Sequence, residues 1–281
     1  LYLRPTPGTD LVWASALSRY MFDHQLADDA FLAQQVNGVE DYRRSLAPFT
    51  LDYAAEMTGI AQADLVAAAE MIGRAKSVCI LWAMGITQHS HGADTSTALS
   101  NLLLVTGNYG RPGTGGYPMR GHNNVQGASD FGCLANQYPG YEKVTDPEVR
   151  AKWAKAWGVA PEALSGQVGE DNFKMVQAAH QGKLRAMYIT GEETAFADAD
   201  AANVHDGFSK LDFMVVQDIF FSRTAQFADV VLPGCPSVEK EGTYVNTERR
   251  IQRFYEVMPP LGDSRPDWWI FTELAKRMGH D

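Results

Sequence analysis

The sequence predicts an α/β fold with a parallel sheet. Short apolar runs at 77–82, 185–189 and 213–217 have strand length, and each runs into a polar turn. Helical periodicity fills much of the chain between them. In the second half, strand, helix and strand follow at βαβ spacing, which implies right-handed crossovers. A length of 281 residues is room for one large or two modest domains.

The elements follow in order. Gly8-Thr9-Asp10 opens a helix in which Leu11, Ala14, Leu17, Ser18, Met21 and Phe22 recur at spacings of three and four, with Thr9 or Asp10 as cap. Helices are expected at about 28–37, 39–47, 50–58 and 62–74, the last ending near Gly73. Ser77 to Trp82 is a continuous apolar run, read as a strand buried on both faces with Cys79 as a small core residue. A helix at about 93–106 follows. Residues 107–132 hold Gly107, Gly110, Gly113, Gly115 and Gly116, and are read as irregular chain. Those glycines permit positive φ and close approach to a ligand or to another segment. Asp146-Pro147 starts the next helix, with proline where the missing N–H costs nothing. Then come strand 185–189, helix 198–209, strand 213–217 and strand 229–233. Ser264 and Asp267 stand at capping-box spacing before a last helix. Glu239-Lys240-Glu241 reads as a solvated turn.

Lys plus Arg is 24 and Asp plus Glu is 34, a formal charge of −10. That argues against a nucleic-acid partner, which needs clustered cations. Three cysteines at 79, 133 and 235 form no CxxC pair, so neither a disulfide scaffold nor a metal cluster is read in this chain. No apolar run reaches about 18 residues, so no membrane insertion is expected. No signal peptide is read, and the expected location is cytoplasmic, with export of a longer protein left open. The chain starts at Leu1 within what reads as extended structure and stops just after a helix pattern ending at Met278. The expectation is an internal piece of a longer protein.

In open parallel sheets, ligands sit beyond the carboxyl ends of strands. Three polar turns lie there: Met84 to His89, Gly191 to Thr194, and Asp218 to Thr224. They are either ordinary strand-to-helix loops or the seat of a nucleotide-like ligand, and the pattern leaves both open. Neither GxGxxG nor GxxxxGK[ST] occurs at them. His89 and His91 resemble a metal pair, but no third ligand is near and no metal ligand is assigned. Arg120 stands among glycines with few carboxylates near it in sequence. It is a surface arginine, a partner of a distant aspartate, or a guanidinium aimed into a cleft, where it can hold a carboxylate by two parallel hydrogen bonds.

Two long runs narrow these alternatives. "GITQHSHGADTSTALSNLLLVTGNYGRPGTGGYPMRGHNNVQGASDFGCL" and "VVQDIFFSRTAQFADVVLPGCPSVEKEGTYVNTERRIQRF" resemble the molybdopterin oxidoreductase family, and within it formate dehydrogenase catalytic subunits. The opening "PGTDLVWASALSRYMFDHQLADDAFLAQQVNG" also fits. The resemblance implies parts of two related α/β domains with Rossmann-like layers, interrupted in sequence. Residues 1–122 would be the later half of one, ending in the arginine loop. Residues 123–234 would be the later half of a second, binding a guanosine moiety, and 235–281 the start of a further shared segment.

The implied cofactor is a bis-molybdopterin guanine dinucleotide with molybdenum or tungsten. The implied partners are formate, the remaining segments of the same subunit, and electron-transfer subunits. Arg120 matches the family's substrate arginine. Met84, Gly85, Thr87 and Gln88 match the pterin-lining segment, as does Gly121 beside the arginine. Gly191, Glu192, Asp218, Ser222 and Thr224 match the guanosine-holding segment. His122 stands where relatives commonly have Gln and is the second candidate catalytic residue. The resemblance places the metal-ligating Cys or selenocysteine and a [4Fe–4S] cluster in an N-terminal part that this sequence lacks, so the chain alone is expected to be inactive. Rival readings are a nitrate reductase of the same family, or a non-catalytic scaffold homologue such as the large iron–sulfur subunit of NADH dehydrogenase.

Overall fold

A computed structural model describes residues 1–280. The chain is α/β with parallel sheets, and it divides into two compact units, one of residues 1–123 and one beginning at Asn124.

The first unit opens with helices α1 (Asp10–Asp23), α2 (Asp29–Gln35), α3 (Val39–Ser45), α4 (Leu51–Thr58) and α5 (Gln62–Gly73). Strand β1 (Cys79–Trp82), the one-turn helix α6 (Met84–Thr87), α7 (Gly92–Val105) and strand β2 (Gly115–Pro118) complete it. α1 is the hub. Leu17, Met21 and Phe22 pack with Leu65 of α5 and Leu102 and Val105 of α7 in one core. Small residues Ala14, Ala16 and Ser18 let neighbouring helices come close, and the buried Ser18 hydroxyl is satisfied by the Ala14 carbonyl at 3.2 Å.

Several local expectations are corrected here. Thr9 does not cap α1 by its side chain, because its hydroxyl donates to the Thr6 carbonyl at 2.7 Å. Strand β1 is not buried on both faces. Ile80 and Trp82 turn to Ala14, Ala98 and Leu99, whereas Cys79 and Leu81 on the opposite face are exposed. Cys79 is therefore no core residue; its thiol donates to the Gly113 carbonyl. The stretch 107–132 also contains regular structure, namely β2 and helix α8 (Val125–Asp130), which begins the second unit.

In the second unit, a small antiparallel ribbon of β3 (Gln137–Tyr138) and β4 (Glu142–Lys143) precedes α9 (Pro147–Trp157) and α10 (Asn172–His180). Asp146 caps α9 as expected, accepting from the Glu148 and Val149 amides. Next come β5 (Ala186–Thr190), α11 (Thr194–Ala197), α12 (Ala201–Phe208), β6 (Phe213–Asp218) and β7 (Val230–Pro233). These strands form one parallel sheet in the order β5-β6-β7. Met214 and Val216 face a core with Val176, Val204 and Phe208 from α10 and α12.

A hairpin of β8 (Gly242–Val245) and β9 (Ile251–Phe254) and the final helix α13 (Asp267–Arg277) close the unit. Tyr188, Val215 and Leu232, on the other sheet face, line a cavity of about 540 Å³ with Trp269, Ile270 and Leu274 of α13. The expected capping box is absent: Ser264 donates to the Leu261 carbonyl, and Asp267 binds Gln217 and Lys240. Nor is 239–241 a solvated turn. Glu239 is buried and accepts from the Leu261 amide at 3.1 Å.

Candidate functional site

The first site element is the end of the β1–β2 pair. The strands run parallel, with Cys79 opposite Gly115 and Trp82 opposite Pro118. The glycine-rich segment before β2 is used on structure. Asn108, only 1% exposed, accepts from the Val78 amide at 2.8 Å and from Arg111 at 3.0 Å, and donates to the Thr106 carbonyl and hydroxyl. Arg111 also reaches the Lys76 carbonyl at 2.6 Å. These bonds staple the segment to the start of β1. Gly116 is needed because a Cβ there would stand 2.8 Å from the Trp82 ring.

Pairing continues one residue past the strands, with the Met119 amide donating to the Trp82 carbonyl at 2.7 Å. The chain after β1 and the chain after β2 therefore leave the sheet side by side. Met84, Gly85, Thr87 and Gln88 stand at this carboxyl end together with Arg120, Gly121 and His122, all of them exposed. A Cβ on Gly121 would lie 3.5 Å from the Met84 methyl, which measures how close the two segments come. This end offers donors: a guanidinium, an amide, a hydroxyl and an imidazole. His89, by contrast, turns back to the Gly85 carbonyl at 2.9 Å. Among the described residues, no group of three or more His, Cys, Asp or Glu is placed to hold a metal.

The second site element is the carboxyl end of the β5–β6–β7 sheet. The Gly191 amide donates to the Gln217 carbonyl at 2.9 Å and the Gly234 amide to the Asp218 carbonyl at 3.0 Å, so both turns are tied to β6. Gly191 has φ of +62°, which glycine adopts freely. Glu192 is exposed, and Asp218 is half-buried. One Asp218 oxygen accepts from the Ile219 and Phe220 amides, which orients the carboxylate at the strand end.

The sheet thus brings Gly191, Glu192, Asp218, Ser222 and Thr224 to one end. Their placements differ. Thr224 is fully buried, donates to Glu193 and accepts from the Ala195 amide, and Ser222 accepts from the Ala225 amide.

Two features were not legible in the sequence. Glu193, not Glu192, is the carboxylate that joins the two turns. Burial raises its pKa, but hydrogen bonds from Thr224, Ser222 and the Arg223 amide outweigh that, and its carboxyl is held below the ordinary value. Behind Asp218, the buried Gln217 accepts from the Tyr188 hydroxyl at 2.6 Å and donates to Asp267 at 2.7 Å, and Lys240 pairs with that aspartate. Buried polar side chains of this kind are satisfied in pairs that a linear pattern does not announce.

The first end carries groups that can bind anions, and the second carries acceptors suited to N–H and hydroxyl donors. No helix among the described residues is long and apolar enough to cross a membrane.

Comparisons with known proteins agree with this architecture. Over 279 residues, 99% of the chain, the sequence is 58% identical to "Probable oxidoreductase YjgC" of Bacillus subtilis (strain 168). Over the same share it is 53% identical to "Putative formate dehydrogenase YrhE" of that strain. It is 52% identical over 280 residues, 100% of the chain, to "Putative formate dehydrogenase SH0748" of Staphylococcus haemolyticus (strain JCSC1435). In each case the chain spans 28% of the relative's length. The solved acetylene hydratase from Pelobacter acetylenicus superposes with a TM-score of 0.74 at 22% identity, covering 98% of this chain and 40% of that one, so the two share a fold. The family model of molybdopterin oxidoreductases matches residues 1–277. The chain belongs to the molybdopterin oxidoreductase family.

Proposed function

We propose that this chain is the cofactor- and substrate-binding segment of a formate dehydrogenase catalytic subunit. The reaction is oxidation of formate to carbon dioxide, one proton and two electrons. The carrying observation is the meeting of 84–88 and 119–122 at the carboxyl end of β1 and β2, with Arg120 in that cluster. The names of the relatives at 52% and 53% identity support the choice of formate.

In this reading Arg120 is catalytic: its guanidinium holds the formate carboxylate and fixes its direction. His122, two residues on, holds or moves a proton beside that carboxylate. Met84, Gly85, Thr87, Gln88 and Gly121 line the pterin. Gly191, Glu192 and Asp218 hold the guanosine part, with Asp218 accepting from guanine N–H groups. The group is a bis-molybdopterin guanine dinucleotide carrying molybdenum or tungsten, and when bound it supplies two-electron redox chemistry. A [4Fe–4S] cluster, held by the part of the enzyme that this chain does not span, would supply one-electron chemistry toward electron-transfer subunits.

The test is Arg120→Ala in the full-length enzyme that contains this segment. Loss of a desolvated charge-assisted pair worth about 2–4 kcal/mol lowers kcat/KM for formate by about 30- to 1000-fold. Unchanged formate kinetics would remove Arg120 from the site. Metal analysis that finds neither molybdenum nor tungsten in the full-length protein would leave it a scaffold instead.

A further inference from the structure

We propose that Glu193 and Thr224 are positioning residues that lock the turn after β6 onto the turn after β5, and so set the seat of the guanosine ligand. The inference rests on the guanosine reading above and deepens it.

The geometry is reciprocal. One Glu193 oxygen accepts from the Thr224 amide at 3.0 Å and from the Thr224 hydroxyl at 2.9 Å, and the other accepts from the Arg223 amide at 3.0 Å. The Thr224 hydroxyl in turn accepts from the Ala195 amide at 3.0 Å. Each side chain therefore caps the other turn, although the two lie about thirty residues apart in sequence. The threonine side of the joint is buried, with Thr224 0% exposed, Ala195 1% and Ala225 2%, while Glu193 is half-buried. A second contact joins the same turns on the outside, where the Arg223 guanidinium lies 4.4 Å from the centroid of the Phe196 ring.

The consequence is a division of labour. Thr224 spends its hydroxyl on Glu193 and Ala195, so it supports the site without touching the ligand. Gly191 and Glu192 sit immediately before the latch on one turn; on the other, Ser222 adjoins it and Asp218 begins the turn, five residues before Arg223. A turn released from Glu193 loses the fixed direction of the Asp218 carboxylate, and with it the selectivity for guanine.

The experiment uses the full-length protein purified without cofactor, with GDP as probe and ADP as control, measured by equilibrium dialysis. Glu193→Gln and Thr224→Val keep side-chain shape and remove the charge or the hydroxyl. Each should weaken GDP binding about tenfold or more, the scale of one lost charge-assisted bond. The preference for GDP over ADP should fall with it, a readout that general loosening of the fold does not move selectively. The double variant should lose no more than the worse single one, because both break one latch. Thr224→Ser keeps the hydroxyl and should bind GDP within about twofold of wild type.

Circular dichroism reads folding separately. Should Glu193→Gln fail to fold, the Thr224 pair decides alone. Equal GDP affinity in Thr224→Val and wild type overturns the latch and leaves the guanosine reading standing. Absence of GDP binding by the wild type, together with absence of guanine in acid extracts of the holoenzyme, overturns both.

Discussion

Replacing Asn108 by alanine should loosen the whole edge that carries Arg120. Asn108 is nearly fully buried and makes four side-chain hydrogen bonds. Alanine removes the acceptor of the Val78 amide, which sits directly before β1, and the partner of one Arg111 nitrogen. Arg111 and the Thr106 hydroxyl are partly solvated and find water. The Val78 amide is half-buried and finds less. The expected loss is about 2 kcal/mol, within the range for an orphaned buried donor. Amide exchange in the full-length protein measures it. Peptides spanning 77–82 and 113–119 should exchange about thirtyfold faster, since 1.4 kcal/mol is a factor of ten. The ladder includes the Gly115 amide on the Val78 carbonyl and ends with Met119 on Trp82, so under the proposed function the KM for formate should rise as well. Exchange in these peptides within about twofold of wild type would refute the idea that Asn108, and not glycine flexibility, places β2.

Three further outcomes are expected. Gly116→Ala pushes a methyl against the rigid Trp82 ring and should cost about 1–3 kcal/mol, seen as a melting temperature lower by several degrees. The Glu193 carboxyl is held below its ordinary value by the latch, so its contribution is present above the unfolded carboxylate value of about 4.3 and is lost as pH falls through the lower folded value. Exchange of the peptide 219–228, corrected for intrinsic rate, should therefore accelerate on acidification in the wild type and lose that dependence in Glu193→Gln. Cys235 is buried, and burial pushes its thiol up, so alkylation followed by peptide mass spectrometry should label it only after denaturation.

The parts of the fold that the sequence announces are those fixed by local periodicity. α7 and the strands β5, β6 and β7 have apolar spacing of one kind and clear punctuation at their ends. β2 does not. Its Gly-Gly-Tyr-Pro reads as loop, and it becomes a strand only because Asn108 draws the segment to β1 and Trp82 leaves room for no side chain at Gly116. The burial of β1 escapes the sequence for a related reason: an apolar run states which residues tolerate a core, not how many strands flank them, and among the described residues β1 pairs with β2 alone in a two-stranded sheet. At the candidate site, Arg120 stands out in the sequence as a cation set among glycines. Glu193 does not, because it adjoins Glu192, and composition does not tell which of two neighbouring carboxylates turns inward. The signal lies thirty residues away, in a Ser-Arg-Thr turn whose amides need an acceptor.

The two sheet ends present opposite chemistries, and this bears on the ligand. The end of β1 and β2 offers donors, with Arg120 and His122 beside Gln88 and Thr87. The end of β5 and β6 offers acceptors, with Glu192 and Asp218 exposed or half-buried and Glu193 already saturated. An acidic rim is a poor seat for phosphate, because like charges at close range disfavour each other. It is a good seat for a base with N–H donors and for ribose hydroxyls. A guanosine held there would have its phosphates met by other groups, such as segments outside this chain, which spans 28% of its relatives' length, because the Gly191 amide is already given to the Gln217 carbonyl. The net charge of −10 therefore does not oppose an anionic cofactor. In the proposed reading, distribution and not net charge decides binding: the acceptors at the end of β5 and β6 are assigned to the base, and Arg120 to the carboxylate of the substrate.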